Sequence, residues 1–169
     1  MFKYKQTKQL NHNGSNTMID ALTLLVDNGL DDETLDVVLD NLLENDEFDD
    51  DDDLRKCVAL KWSRDNGDKT APGDISDGSG DDICIGGAEY RILDDDEADT
   101  AFDDYLEQML DEDGMVPGAD SQYFDREAWK SDATIDGRGP SLSSYDGEEH
   151  ELSIGSGDNY RYYYLYRTN

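Results

Sequence analysis

The stretch "DDDDDLRKCVALKW", Asp49–Trp62, joins a run of five aspartates to a short apolar segment, and the reading of that junction decides the fold. No packed core tolerates five adjacent carboxylates. Asp49–Asp53 therefore reads as a solvated, flexible connector. Lys56–Trp62 behind it reads as a β-strand. On this reading the stretch separates a helical half from a sheet half.

Upstream, Ile19, Leu22, Leu25 and Val26 share one face of a helix over about Thr17–Asn28, and Gly29 supplies its stop. Asp31 can cap a second helix, Asp32–Asn45, with Leu35, Val38, Leu39, Leu42 and Leu43 on its apolar face. The short connection predicts an antiparallel helical hairpin. Before it, residues 1–16 hold three lysines and no acid, and read as a loose basic tail.

Downstream, residues 65–87 are rich in Gly, Asp and Ser and read as a long loop. "EYRIL" (Glu89–Leu93) reads as a strand. Asp94 with Glu97 resembles a capping box opening a helix to about Glu112, whose apolar face is Ala98, Ala101, Phe102, Tyr105, Leu106 and Met109. A short helix is expected over Asp125–Ala133. "HELSI" and "YRYYYLYR" flank the turn sequence "GSGDN" and predict a β-hairpin. Along its second strand Tyr160, Tyr162, Tyr164 and Tyr166 alternate onto one face, with Tyr163 and Leu165 on the other. The expected fold class is α+β: an N-terminal helical hairpin, then a small antiparallel sheet with one or two packed helices. The expected divisions are a tail (1–16), an acidic hairpin with the Asp run (17–54) and an α+β domain (55–169).

Charge limits the partners. The chain of 169 residues carries 43 acids against 14 Lys plus Arg, a formal net charge of −29. DNA, RNA and anionic membrane are all repelled by such a surface, whereas a basic protein groove is attracted. Two blocks, 17–54 and 71–122, hold nearly all of the excess, and they coincide with the strongest helical patterns. Within them the acids form ladders. Asp32, Asp36, Asp40 and Glu44 are spaced by four, as are Asp95, Asp99, Asp103, Glu107 and Asp111. Like charges at this spacing cost a helix about 0.2–0.5 kcal/mol per pair. No base on the next turn offsets them, whereas a solvated helix face normally mixes signs.

A row of carboxylates roughly resembles a row of phosphates, and an arginine fork binds both with the same bidentate geometry. The two ladders are therefore the expected partner-binding surface, with Asp49, Asp50, Asp51, Asp52 and Asp53 as an electrostatic attractor. The expected partner is a basic DNA-binding host protein. A second copy of the chain is the other partner this reading allows.

Other chemistries are poorly supplied. "DGSGDDICIGGAE" places Asp77, Ser79 and Asp81 at calcium-loop spacing, but its sixth position is Asp82 and its twelfth Ala88. Cys57 and Cys84 have no CxxC neighbour and read as reduced, half-buried thiols. No cofactor motif, nucleophile motif or membrane span stands out, and "MFKYKQTKQL" lacks the apolar core of a signal peptide. The expectation is a non-enzymatic cytoplasmic protein.

Three segments carry a resemblance: "YRILDDDEADTAFDDYLEQ" (Tyr90–Gln108), "YFDREAWKSDATIDGRGPSLSSYDGEEHEL" (Tyr123–Leu152) and "YYLYRTN" (Tyr163–Asn169). Together they resemble a small-protein family of tailed bacteriophages over roughly residues 89–169. The resemblance implies a phage-encoded accessory protein in the host cytoplasm and assigns no activity. By charge, the chain is also similar to phage antirestriction and anti-CRISPR DNA mimics. The functional expectation is a DNA-mimic inhibitor of a CRISPR effector, a restriction enzyme or another DNA-processing protein. The rivals are a halophile-type protein, acidic for solubility alone, and a phage accessory protein whose activity has no visible motif.

Overall fold

The computed structural model describes residues 17–45, 48, 50–112, 115–155 and 160–169. The basic tail and Asp49 lie outside them. The chain is α+β, with helices on both faces of one antiparallel sheet.

Helix α1 (Met18–Asp27) opens with a capping box: the Asp20 N–H donates to Thr17 Oγ1 at 3.2 Å and the Thr17 N–H to Asp20 Oδ2 at 3.1 Å. Helix α2 (Asp32–Asn45) is capped by Asp31, which accepts from the Thr34 N–H at 2.9 Å. Ile19 and Leu22 of α1 and Leu35, Leu39, Leu42 and Leu43 of α2 are buried, as their spacing predicts.

The junction stretch overturns its expectation. Asp51–Asp65 is a third helix, α3, so Lys56–Trp62 is not a strand. Asp50 is its N-cap and accepts from the Asp53 N–H at 2.8 Å. Asp51, Asp52 and Asp53 form its first turn, where the helix dipole favours anions. The described part of the aspartate run is therefore a helix start and not a flexible connector. Asp53 also accepts the Met18 N–H at 2.9 Å, so the first turn of α3 ties down the first turn of α1. Cys57, Val58, Ala59 and Leu60 are all fully buried. A helix turn enclosed on every side shows the unbroken apolar run of a buried strand.

The expected loop at 65–87 also holds structure. A 3-10 turn (Pro72–Asp74) leads into β1 (Ile75–Asp77), which pairs with β2 (Ile83–Ile85). Strand β3 (Ala88–Asp94) follows, and β4 (His150–Ile154) and β5 (Arg161–Arg167) form the expected hairpin. The strand order is β1-β2-β3-β5-β4, antiparallel throughout. In the centre Ile92 faces Leu165 and Leu93 faces Tyr164.

Alternation along β5 divides the interior. Tyr163 and Leu165 enter a core built with Ile83, Ile92 and the buried faces of α1, α2 and α3. Tyr164 and Tyr166 enter a second core with Leu93 and with Ala98, Phe102 and Leu106 of α4 (Asp95–Asp111). The capping box at Asp94 and Glu97 is formed as expected. Helix α5 (Arg126–Ile135) and the single turn α6 (Gly139–Leu142) lie on this second side, with Trp129, Ala133 and Leu142 against its core. Because α1 and α2 share the first core with α3 and the sheet, the expected division at 54/55 falls inside a packed unit, within the first turns of α3.

Lys56 shows how charge is handled inside this fold. It is almost fully buried and its Nζ meets Asp52 at 2.6 Å and Asp77 at 2.5 Å, pinning α3 to β1. Burial alone would lower its pKa, but hydrogen bonds to the two carboxylates outweigh burial and hold it above the ordinary lysine value.

Candidate functional site

Each ladder occupies one side of a regular helix. The α2 ladder faces α3. Arg64 Nε meets Asp36 Oδ1 at 2.5 Å, its Nη2 reaches Asp32 Oδ1 at 3.5 Å, and its Nη1 donates to the Thr70 carbonyl at 3.0 Å. Lys61 joins Asp40 at 3.0 Å and Asp65 at 2.7 Å. Among the described residues Glu44 makes no ion pair.

The α4 ladder is braced along its whole length. Arg138 Nη1 meets Asp99 at 2.9 Å and Asp95 at 3.4 Å. Lys130 meets Asp103 at 2.8 Å and Glu107 at 2.5 Å. Arg126 meets Asp111 at 2.6 Å and Glu107 at 3.3 Å. Arg138 is itself fixed: its Nε donates to Glu149 at 2.9 Å, and its guanidinium lies 4.1 Å from the centre of the Tyr164 ring. Glu149 also accepts from the Tyr166 hydroxyl at 2.5 Å. Burial, then this bond, pushes the Tyr166 phenol well above its ordinary pKa.

These bases do not show in the spacing of the acids. The offsetting charge arrives from other elements and not from the ladder helices themselves. Eight of the nine ladder carboxylates meet five bases, Lys61, Arg64, Arg126, Lys130 and Arg138. A signal was present. Lys61 and Arg64 are three apart, Arg126 and Lys130 four apart, so each pair matches the helical spacing of the acids opposite.

The depth of the two charges differs. The side chains of Arg64, Lys130 and Arg138 are 7%, 14% and 14% exposed, whereas those of Asp32, Asp99 and Asp111 are 74%, 73% and 71% exposed. Four of the five cations lie beneath and their carboxylates face water; Arg126, 41% exposed, lies beside its acids at the surface. Each rung advances about 6 Å along its helix, near the axial rise of two base pairs.

No protein-family model, curated protein or solved structure matches this chain. What the surface can do follows from its own charges. The ladders present carboxylate oxygens in fixed rows, yet five bases leave them a net excess of only four negative charges. Much of the −29 therefore lies off the ladders. The adjoining flank of α4 is one such region, a shallow open depression lined by Asp96, Glu97, Thr100, Ala101 and Asp104. Of its acids, Glu97 is paired with Arg55 at 2.6 Å.

The expected attractor has local duties. Asp50 caps α3, Asp52 binds Lys56 and Asp53 holds the α1 terminus, while Asp51 is exposed. In the calcium-like stretch, Gly78 and Asp82 close the β1–β2 turn through the Gly78 N–H and the Asp82 carbonyl at 2.8 Å. The Asp82 carboxylate accepts from Thr168 Oγ1 at 2.7 Å and serves the fold. Among the described residues no group of three or more His, Cys, Asp or Glu is placed to hold a metal ion, and no helix is long and apolar enough to cross a membrane. Cys57 is fully buried, not half-buried, and burial pushes its thiol well above the ordinary pKa.

Proposed function

We propose that this protein is a DNA-mimic inhibitor. It occupies the DNA-binding groove of a host defence nuclease, a CRISPR effector or restriction enzyme, or of another DNA-processing protein, in the cytoplasm of a phage-infected cell. The observation that carries the reading is the layering of the ladders: exposed carboxylates held in register by bases beneath them, Arg64 under Asp32 and Asp36 and Arg138 under Asp95 and Asp99. An acid already fixed in place loses little side-chain freedom when an arginine fork engages it. The wider negative field speeds encounter with a basic groove and makes binding salt-sensitive.

The same ion pairs favour one other reading, in which the ladders only fasten helices together and the excess charge keeps the protein dissolved. A displacement assay separates the two. A fluorescent duplex is bound to a catalytically inactive restriction enzyme or CRISPR effector, and the protein is titrated in at rising salt. Mimicry predicts stoichiometric release at about 0.05 M NaCl, fading as salt approaches about 0.5 M. Retention of the duplex by every basic partner at low salt excludes it.

A further inference from the structure

Helix α5 differs from every other long helix in this fold: it buries no residue. Its hold on the molecule has two parts. Trp129 and Ala133, one turn apart, lie half-buried against the Phe102 and Leu106 core. Arg126 and Lys130 reach across to Glu107, Asp103 and Asp111 of the α4 ladder. Gly137, in left-handed backbone at φ 80°, directly follows the C-cap Asp136 and permits a sharp turn at the end of the helix. Ion pairs whose carboxylates are half or more exposed are weak and screened by salt. An element with few buried contacts opens locally, well before the whole fold.

From these features we infer that α5 is a detachable strap, an internal occupant of the α4 carboxylate ladder that a basic partner displaces. The strap presents cations one helical turn apart to carboxylates one turn apart. A basic helix or groove of the partner with the same spacing competes for the same oxygens. Release of α5 frees Asp103, Glu107 and Asp111 together, while Arg138, held by Glu149 and Tyr164, stays on the upper rungs. The consequence is a threshold: only a partner dense enough in cations to outcompete Arg126 and Lys130 opens the lower ladder.

The inference rests on the proposed docking role of the ladder, but its first test needs no partner. Hydrogen exchange of the full chain is measured at about 0.01 M and about 1 M NaCl, between which the Debye length falls from about 30 Å to about 3 Å. The α5 amides should exchange at least about tenfold faster than those of α4, and about threefold faster again in high salt. Exchange of α5 in step with α4 at both salts overturns the strap, whatever the DNA-displacement assay shows. Arg126→Gln with Lys130→Gln should bring the fast exchange to low salt and abolish its salt response; an unchanged profile overturns the strap. The second test uses a fluorescein-labelled peptide with Arg or Lys at every fourth residue. It should bind the double variant about threefold or more tighter than it binds a Lys69→Gln, Arg91→Gln variant, which removes equal charge away from the ladder. Equal affinity for the two variants overturns displacement.

Discussion

Asp53 has two partners that pull in opposite directions. Its carboxylate accepts the Met18 N–H, which favours ionisation, but burial, with Asp50 and Asp52 close by, raises its pKa above the ordinary aspartate value. A raised folded-state pKa means the protonated form is favoured by folding. That contribution is present below the unfolded pKa and is lost as pH rises through the folded one. At neutral pH Asp53 therefore carries a penalty. Asn keeps the acceptor for Met18 and removes the charge. Asp53→Asn should raise Tm by about 1–2 °C at pH 7, a small gain because the site is half-exposed and screened. The gain should shrink toward pH 4, and a thermal melt series across that range checks the sign. Arg138 is the opposite case, a cation whose partners agree. It joins Asp95, Asp99 and Glu149 and stacks on Tyr164. Lysine carries the same charge but neither the fork nor the flat face. Arg138→Lys should cost about 1–2 kcal/mol, read as a Tm fall of about 3–6 °C; an unchanged Tm would mean that charge alone matters at this position.

At the scale of elements, the sequence was legible wherever a helix or strand has one wet and one dry face. Asp31 before α2 and Asp94 with Glu97 before α4 act as the caps their positions suggested, and Asp125, expected as the first residue of α5, is its cap instead. The tyrosine alternation of β5 sorted side chains between the two cores as expected. Helix α3 was not legible for the opposite reason. It lies between α1, α2 and the sheet, so Cys57–Leu60 are buried in an unbroken row and no period survives. The cue that pointed to a helix was the Asp run itself, read as a solvated connector when its chemistry was that of an N-terminus: a cap at Asp50 and three acids in the first turn. Strands β1 and β2 escaped notice because each has three residues, too short for alternation to register within a Gly-rich and Asp-rich stretch. For the candidate site, the acids of both ladders were legible from i, i+4 spacing. Their counter-charges were not, because Arg138 is 39 residues from Asp99 and Arg64 is 28 from Asp36. Pairing at that separation is set by tertiary packing, which no local window contains.

Across the whole molecule the question is whether position or quantity of charge matters. A net charge of −29 creates an attractive field for any basic protein, so loss of binding on removing acids is uninformative unless the total is held equal. Helix α4 offers the comparison within one element. Asp99 and Asp103 stand on the braced ladder, fixed by Arg138 and Lys130. Asp96 and Asp104 stand on the adjoining flank, along the open depression. Asp99→Asn with Asp103→Asn and Asp96→Asn with Asp104→Asn remove the same two charges from the same helix, so the long-range field changes alike. If ordered carboxylate rows are what a DNA groove reads, the ladder pair should weaken competition with duplex DNA about tenfold, or about 1.4 kcal/mol. The flank pair should change it less than about threefold, the share due to field alone. Both variants should first be checked by circular dichroism and thermal melting, since the ladder pair also releases Arg138 and Lys130 from their acids. Equal weakening by the two pairs at matched stability would assign binding to bulk charge. A larger effect from the flank would move the docking surface to the open depression beside the ladder.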